Sequence, residues 1–272
     1  MTIGVRKYAY VTALNSENYL EGVFALERNL RAVSSKYQLV VTVPETREDL
    51  VEKLGERNIA TVTFPEIDLK CLEKLGSHYW AKTFFKLQVF NLVQFDKIVL
   101  LDCDMLLLRN IDALFALPHI SAASVGPAIG LRGAAWQGLT SGVLVLEPSP
   151  GSYENVMEAV EDVVERKLAK GHKAGDQDVI NMVYGAIWAN DDRRKLPETY
   201  NLIWAFLEEY CRDHLVGGLA DVAVVHFAGS KKPWHYSEIE VTQLRHDLAK
   251  EGKFCMLETF ERYLNLFDGV SL

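Results

Sequence analysis

Between Lys97 and Leu108 the chain reads KIVLLDCDMLLL, an apolar run interrupted by Asp102 and Asp104. A fold that buries this run must bring two neighbouring carboxylates to the edge of its core. Such a pair repels itself and is costly to remove from water. The expectation is a central buried strand, KIVLL, with both acids at its C-terminal lip. In extended backbone they point one way and Cys103 the other. A hard cation with oxygen ligands, Mg²⁺ or Mn²⁺, offsets the repulsion.

The surroundings fit such a strand. YAYVTAL (8–14), QLVVTV (38–43) and IATVTF (59–64) read as strands, with Pro44 closing the second. Between them, Tyr19, Val23, Leu26 and Leu30 recur at helical spacing, and Thr46 is the expected cap of a following helix. An amphipathic helix is expected over Lys82–Val93. Strand–helix alternation implies a mostly parallel sheet with helices on both faces, whose ligand sites lie at the carboxyl ends of strands. Further on, 121–125, 141–149 and 221–227 read as strands and 152–170, 176–184 and the residues from Ser237 onward as helix.

A formal net charge of −8 argues against nucleic acid as a general partner, because phosphate backbones need a basic face. No apolar run approaches the ~20 residues of a membrane span, and the N-terminus enters a strand without a signal-peptide pattern. A cytoplasmic setting is expected. The four cysteines are scattered and read as thiols rather than a zinc site or disulfide framework. With no repeat or Pro/Ser linker, the chain is expected to be one domain over 1–272, with a helical C-terminal segment (237–272).

A bare D-x-D is weak evidence, since short motifs arise by chance, and Asp176-Gln177-Asp178 repeats it. The apolar approach gives Asp102 and Asp104 their weight. A haloacid-dehalogenase-type phosphatase also ends an apolar strand in D-x-D. That family places Thr or Val two residues beyond the second acid, where Leu106 stands here, and its motif lies near the N-terminus. The other class is a nucleotide-sugar transferase, in which the cation bridges the acids to a departing diphosphate. It requires another metal ligand and local cations. HFAGSKKPWHY (226–236) offers both: His226 at a strand end, Gly229 for close backbone approach, and Lys232 before the stiff Pro233.

Together, VLLDCDMLLLRNIDALF and HFAGSKKPWHY resemble family 8 of the retaining glycosyltransferases, the group containing glycogenin and galactinol synthase. VTALNSENYLEG resembles that family's N-terminal nucleotide loop, so the likeness runs from about residue 8 to residue 236. It implies a GT-A fold (Rossmann-like, with a helical C-terminus), a UDP-sugar donor, a hydroxyl acceptor and Mn²⁺, with Mg²⁺ as the alternative. Asp102, Asp104 and His226 are then the metal ligands, Asp102 also meeting the ribose. Ala13, Asn15 and Tyr19 match the uridine loop, Tyr19 as the stacking ring. Cys103 falls within the nucleotide-sugar contacts, and Gly229 and Lys232 match the diphosphate contacts. Lys86 matches the sugar-contacting lysine, while Ser141, Asp176 and Gln177 match positions that hold the donor sugar. Lys86, Asp176 and Gln177 are the implied catalytic residues. Trp234 reads as packing, and Asp176 would also suit a helix cap.

The departures are informative. Ser77 stands where glycogenin-like members have arginine, with Lys82 as the substitute cation. Lys173 replaces an acidic residue, which argues against a glucan acceptor. Glycogenin's self-glucosylated tyrosine falls near Glu208, with Tyr210 close by, and self-glucosylation is disfavoured. The Gly/Ala-rich stretch 125–138 is expected to border the acceptor pocket, and a homodimer is expected from the family. A nucleotide-sugar-binding protein without transferase activity is the other reading weighed.

Overall fold

The computed structural model describes residues 7–76, 78–124, 138–213 and 216–267. The acceptor-pocket expectation for 125–137 and the departure at Ser77 lie outside these residues. In chain order the elements are β1 (Tyr8–Ala13), α1 (Leu20–Ala32), β2 (Leu39–Pro44), α2 (Glu48–Glu56), β3 (Ala60–Phe64), α3 (Lys70–Glu73), α4 (His78–Thr83), β4 (Lys97–Leu101) and β5 (Met105–Leu107). There follow β6 (Ser121–Ala123), β7 (Val143–Leu146), α5 (Pro150–Ala169), α6 (Asp176–Ala189), β8 (Lys195–Leu196) and β9 (Leu202–Ile203). The chain then forms α7 (Leu207–Arg212), β10 (Val224–His226), α8 (Glu238–Lys250) and α9 (Phe254–Leu264).

The main sheet runs β3-β2-β1-β4-β7-β6-β8. Its β1–β2, β1–β4, β2–β3 and β6–β8 pairs are parallel, whereas β7 is antiparallel to β4 and β6. Every residue of β4 is buried. Successive residues feed opposite faces: Ile98 and Leu100 join one core with Ala9, Val11 and Leu144, while Val99 and Leu101 join another with Tyr10, Val41 and Val143. A strand covered on both faces reads as a continuous apolar run, which is why KIVLL stands out in the sequence.

Chain direction explains where a site can form. From β1 the strands step outward through β2 and β3 on one side, and β4 lies on the other. The crevice outside the ends of β1 and β4 is the switch point of an α/β sheet, the usual position for a ligand. Ala13 ends one of these strands and Asp102 follows the other.

A second sheet, β5-β10-β9, sits beyond this edge. Its outer face packs on the C-terminal helices through Leu106, Val225, Phe227, Phe260 and Tyr263. The late strand expected at 221–227 is therefore β10 of this small sheet.

Several local expectations change. KIVLLDCDMLLL is two strands joined by a turn at Asp102–Asp104, because β5 leaves the main sheet to pair antiparallel with β10. The stretch expected as the helix Lys82–Val93 is mainly a 3-10 turn, Phe84–Asn91, with Phe84, Phe85, Leu87, Val89 and Phe90 buried. Thr46 does not cap α2; Arg47 occupies that position, and the Thr46 hydroxyl donates to Glu66 at 2.9 Å. Asp176 is the first residue of α6 and not its cap. The cap is Gly175, whose N–H donates to Asp178 Oδ2 at 3.0 Å. Ser149 caps α5 through the Ser152 N–H, with Pro150 in the first turn.

Candidate active site

The turn after β4 and the end of β10 meet because the two strands of the small sheet are held in one register. Met105 pairs with His226, and the Phe227 N–H donates to the Asp104 carbonyl at 2.9 Å. Residues 102, 104 and 226 thereby converge. His226 Nε2 lies 3.2 Å from Asp104 Oδ1 and 3.9 Å from Asp102 Oδ2. One ligand atom from each of the three falls within 4.8 Å of the others. Two carboxylate oxygens and an imidazole nitrogen suit Mn²⁺ or Mg²⁺ better than a soft metal. The donor set fits the expected cation.

Two lysines offset most of the acidic charge. Lys232 Nζ, buried, donates to Asp104 Oδ2 at 2.5 Å and to the Phe227 carbonyl at 3.2 Å. Lys86 Nζ lies 2.6 Å from Asp102 Oδ1 and 3.2 Å from Asp176 Oδ2. Three carboxylates thus face two ammoniums, leaving one negative charge when His226 is neutral. A divalent ion would reverse that sign.

The ionisations follow from these contacts. Burial favours the neutral form of Asp104, but His226 and Lys232 outweigh it and hold the carboxyl below its usual range. Burial also pushes Asp102 up; Lys86 opposes this and the neighbouring Asp104 adds to it. At His226, burial works against charge, and the Asp104 and Asp102 carboxylates overcome it to raise the imidazole. Burial alone would lower Lys86, but Asp102 and Asp176 raise it.

Beside this cluster, Ser141 Oγ donates to Asp176 Oδ2 at 2.7 Å, and the Ser141 N–H donates to Gln177 Oε1 at 3.0 Å. The structure therefore brings Lys86, Asp102, Ser141, Asp176 and Gln177 into one hydrogen-bonded group. Cys103 is buried in the core with Val99, Leu101 and Met105, and it lies in a turn, not in the extended backbone expected there. Gly229 has a φ of 135°, a backbone conformation that favours glycine.

Asn15 and Tyr19 are expected at the uridine, and Lys82 is the expected phosphate-side cation. Asn15 Nδ2 donates to the Lys82 carbonyl at 2.6 Å. Both residues line a cavity of about 550 Å³ with Pro44, Ile67, Leu72 and Phe85. Tyr19 meets Trp234 edge-on, with ring centroids 6.3 Å apart. Trp234 is packing, as expected: its Nε1–H donates to the Asn18 carbonyl at 2.8 Å, and its ring lies 6.2 Å from that of Tyr263. Lys173 Nζ donates to the Leu75 carbonyl at 2.5 Å, and Tyr210 is buried with its hydroxyl on Glu198.

Sequence reasoning missed four supports. His226 Nδ1 lies 2.9 Å from Asn201 Oδ1, and Asn201 reaches on to Thr140. A Cβ on Gly22 would come within 2.5 Å of the Trp234 ring and 2.9 Å of the Cys103 carbonyl, so only glycine lets α1 approach the acidic turn. The Tyr263 hydroxyl donates to that same carbonyl at 3.3 Å. Gly22 did leave a signal, since an isolated glycine within a helical pattern often marks close packing. Asn201, Thr140 and Tyr263 left none that spacing reveals.

The sequence model for Glycosyl transferase family 8 matches residues 129–238. Human glycogenin-1 is 31% identical over 235 residues, covering 84% of this chain and 63% of glycogenin-1. Galactinol synthase 2 of Arabidopsis thaliana is 28% identical over 277 residues, covering 90% of this chain and 78% of the synthase. Among solved structures, the galactosyltransferase LgtC superposes with a TM-score of 0.62 at 18% identity, covering 95% of this chain and 94% of LgtC. The glycosyltransferase GlyE of Streptococcus pneumoniae gives 0.60 at 18% identity, covering 96% and 62%. These neighbours bear out the expected GT-A fold, and the relatives favour neither the phosphatase nor the binding-only reading.

Proposed function

The chain belongs to glycosyl transferase family 8, and from that premise we propose that it moves a hexosyl group from a UDP-sugar to a hydroxyl acceptor with retention of anomeric configuration. The observation that carries this is the approach of His226 Nε2 to both acidic side chains, 3.2 Å from Asp104 and 3.9 Å from Asp102. Asp102, Asp104 and His226 would hold Mn²⁺, or Mg²⁺ in its place. When bound, that ion supplies positive charge to the leaving diphosphate.

The protein's own groups carry the rest of the reading. Asp102 also meets the ribose, and Ala13, Asn15 and Tyr19 receive the uridine, with Lys82 as a phosphate-side cation beside Asn15. Cys103, in the turn between the two acids, falls within the nucleotide-sugar contacts. Lys232 is poised to trade Asp104 for the diphosphate, and Gly229 lets the loop backbone approach it. Lys86, Asp176, Gln177 and Ser141 hold the sugar, and their mutual hydrogen bonds supply the orientation that a transfer step requires. No carboxylate is assigned as a covalent nucleophile; the departing diphosphate helps to deprotonate the acceptor on the same face.

Lys173, which stands where glycogenin has an acidic residue, supports an acceptor other than glucan, and the burial of Tyr210 with its hydroxyl on Glu198 argues against self-glucosylation there. We read 1–272 as one catalytic unit that acts as a homodimer in the cytoplasm. Among the described residues no helix is long and apolar enough to cross a membrane.

The test is UDP release from a panel of UDP-sugars with and without Mn²⁺. Metal-dependent release with one sugar, increased by a hydroxyl acceptor, is expected. Binding of UDP-sugars without turnover across varied acceptors would leave only a binder, and hydrolysis of p-nitrophenyl phosphate that is lost on changing Asp102 would favour the phosphatase.

A further inference from the structure

A histidine offers a metal only one nitrogen, and its second nitrogen decides which one. Here the second nitrogen meets a side chain with no assigned role. Asn201 is buried, and it directly precedes β9, whose parallel register with β10 sets Ile203 beside His226. Its Oδ1 lies 2.9 Å from His226 Nδ1. An Asn side chain fits either way round until its neighbours fix it, so the far end of the amide must settle which atom faces the ring.

That far end is settled by a chain of donors. The Thr140 hydroxyl donates to the Ala123 carbonyl at 3.0 Å, an acceptor that holds the hydroxyl proton. The same hydroxyl oxygen is then open to accept, and Asn201 Nδ2–H donates to it at 2.7 Å. The amide oxygen must therefore face His226. A carbonyl oxygen only accepts, so Nδ1 must carry a proton. In the neutral ring, the lone pair is left on Nε2, the nitrogen that faces Asp104 and Asp102.

Glycine provides the space for this amide. A Cβ on Gly142 would come within 3.1 Å of Asn201 Nδ2 and 3.2 Å of its Oδ1, and within 2.7 Å of Met105 Cε. The Gly142 carbonyl also accepts from the Asp102 N–H at 3.0 Å. One short stretch, Thr140 to Gly142, thus anchors Asn201 and the acidic turn together.

We infer that Asn201, held by Thr140, is a positioning residue that fixes His226 with its proton on Nδ1 and its Nε2 turned toward the cation site. This rests on the proposed metal role of Asp102, Asp104 and His226. A ligating imidazole whose other N–H is held in this way loses about ten- to a hundredfold in metal affinity when the partner is removed.

The experiment titrates Mn²⁺ into the full-length, UDP-saturated protein and follows free Mn²⁺ by EPR. Asn201→Leu should weaken Mn²⁺ binding about tenfold or more. Asn201→Asp keeps an acceptor for Nδ1–H and should stay close to the unaltered protein. Thr140→Val frees the amide to turn and should fall between them. A second readout is independent of any variant. In the Mg²⁺- and UDP-loaded protein with ¹⁵N-labelled histidine, the His226 proton should be found on Nδ1. Asn201→Leu binding Mn²⁺ as tightly as the unaltered protein would overturn the inference, and so would an unprotonated Nδ1. If Asn201→Leu fails to fold, Thr140→Val and the spectrum of the unaltered protein decide. If the unaltered protein takes up no Mn²⁺, it is the functional reading that fails.

Discussion

One segment, Val99–Phe115, carries three carboxylates that the fold treats in two ways. Asp102 and Asp104 lie before β5 and are answered by side-chain charges: Lys86, Lys232 and His226. Asp112 lies after β5 and is answered almost wholly by neutral donors. It accepts from the Tyr10 hydroxyl at 2.8 Å, the Ser35 hydroxyl at 2.9 Å, the Lys36 N–H at 2.9 Å and Asn110 Nδ2 at 3.3 Å. Burial opposes its charge, yet these donors bring Asp112 below the usual carboxyl value. Asp104 is lowered too, but by cations. The difference lies in what each can exchange. Backbone and tyrosine donors are fixed by the fold, so Asp112 acts as a pin between β1, the segment after α1 and the turn after β5. An ammonium on a flexible stem can leave, so Asp104 can give up Lys232 for a ligand.

The sharpest way to break this contrast is to neutralise one acid of each kind. Asp104→Asn keeps the shape and removes the charge, and it leaves Lys232 without its counter-ion. Metal-dependent UDP release should fall by about 10²–10³-fold or more, the loss expected when a preorganised electrostatic contact at a reacting centre disappears. Steady-state assays over a Mn²⁺ series measure it. Turnover within tenfold of the unaltered protein would mean that the acidic pair does not hold the working cation.

Asp112→Ala should do the reverse. It leaves the Tyr10 and Ser35 hydroxyls and the Lys36 N–H without their acceptor, at about 1 kcal/mol each and about 3 kcal/mol in total. Urea unfolding should register that loss while Mn²⁺ affinity stays within about twofold, because Asp112 touches none of the proposed ligands. A large fall in cation affinity with unchanged stability would put Asp112 on the wrong side of the comparison.

The same contrast explains what could be read from the sequence. The strand KIVLL was legible because both of its faces are buried, so no polar residue interrupts it until the chain reaches the crevice. Asp102, Asp104 and His226 were legible as chemistry because charge beside a buried strand demands a partner. Their hydrogen-bonded neighbours Lys86, Ser141, Asp176 and Gln177 were reached only through family resemblance. The turn between the acids was not legible. Whether MLL continues β4 or starts another sheet depends on β10, more than a hundred residues away, and no local pattern carries that pairing. The helix expected at 82–93 tightened to 3-10 for a related reason: five of its apolar residues bury at once and override the one-sided pattern read from sequence. Asn201 was invisible because a buried asparagine looks like any loop asparagine until its two partners are known.

The smallest effect concerns two histidines pushed in opposite directions. His226 is raised by acidic neighbours, whereas His119 is lowered to about 4, first by burial and then by Arg194 and Lys97, with Glu147 opposing. His119 belongs to the scaffold: its Nδ1 accepts the Glu147 N–H at 2.9 Å, and its ring meets Tyr184 edge-on. The sign follows from which state binds the proton. Below pH 6.5 the unfolded chain protonates this imidazole while the folded chain does not until about pH 4, so folding stability falls as pH drops through that window. The ring is partly open to solvent, which reduces the effect to about 1–2 kcal/mol. His119→Asn keeps an acceptor for the Glu147 N–H and removes the titration. Urea midpoints measured across the window should therefore decline less steeply for the variant. Parallel slopes would show that His119 takes up its proton alike in both states, and that acid sensitivity comes instead from the charged cluster at the crevice.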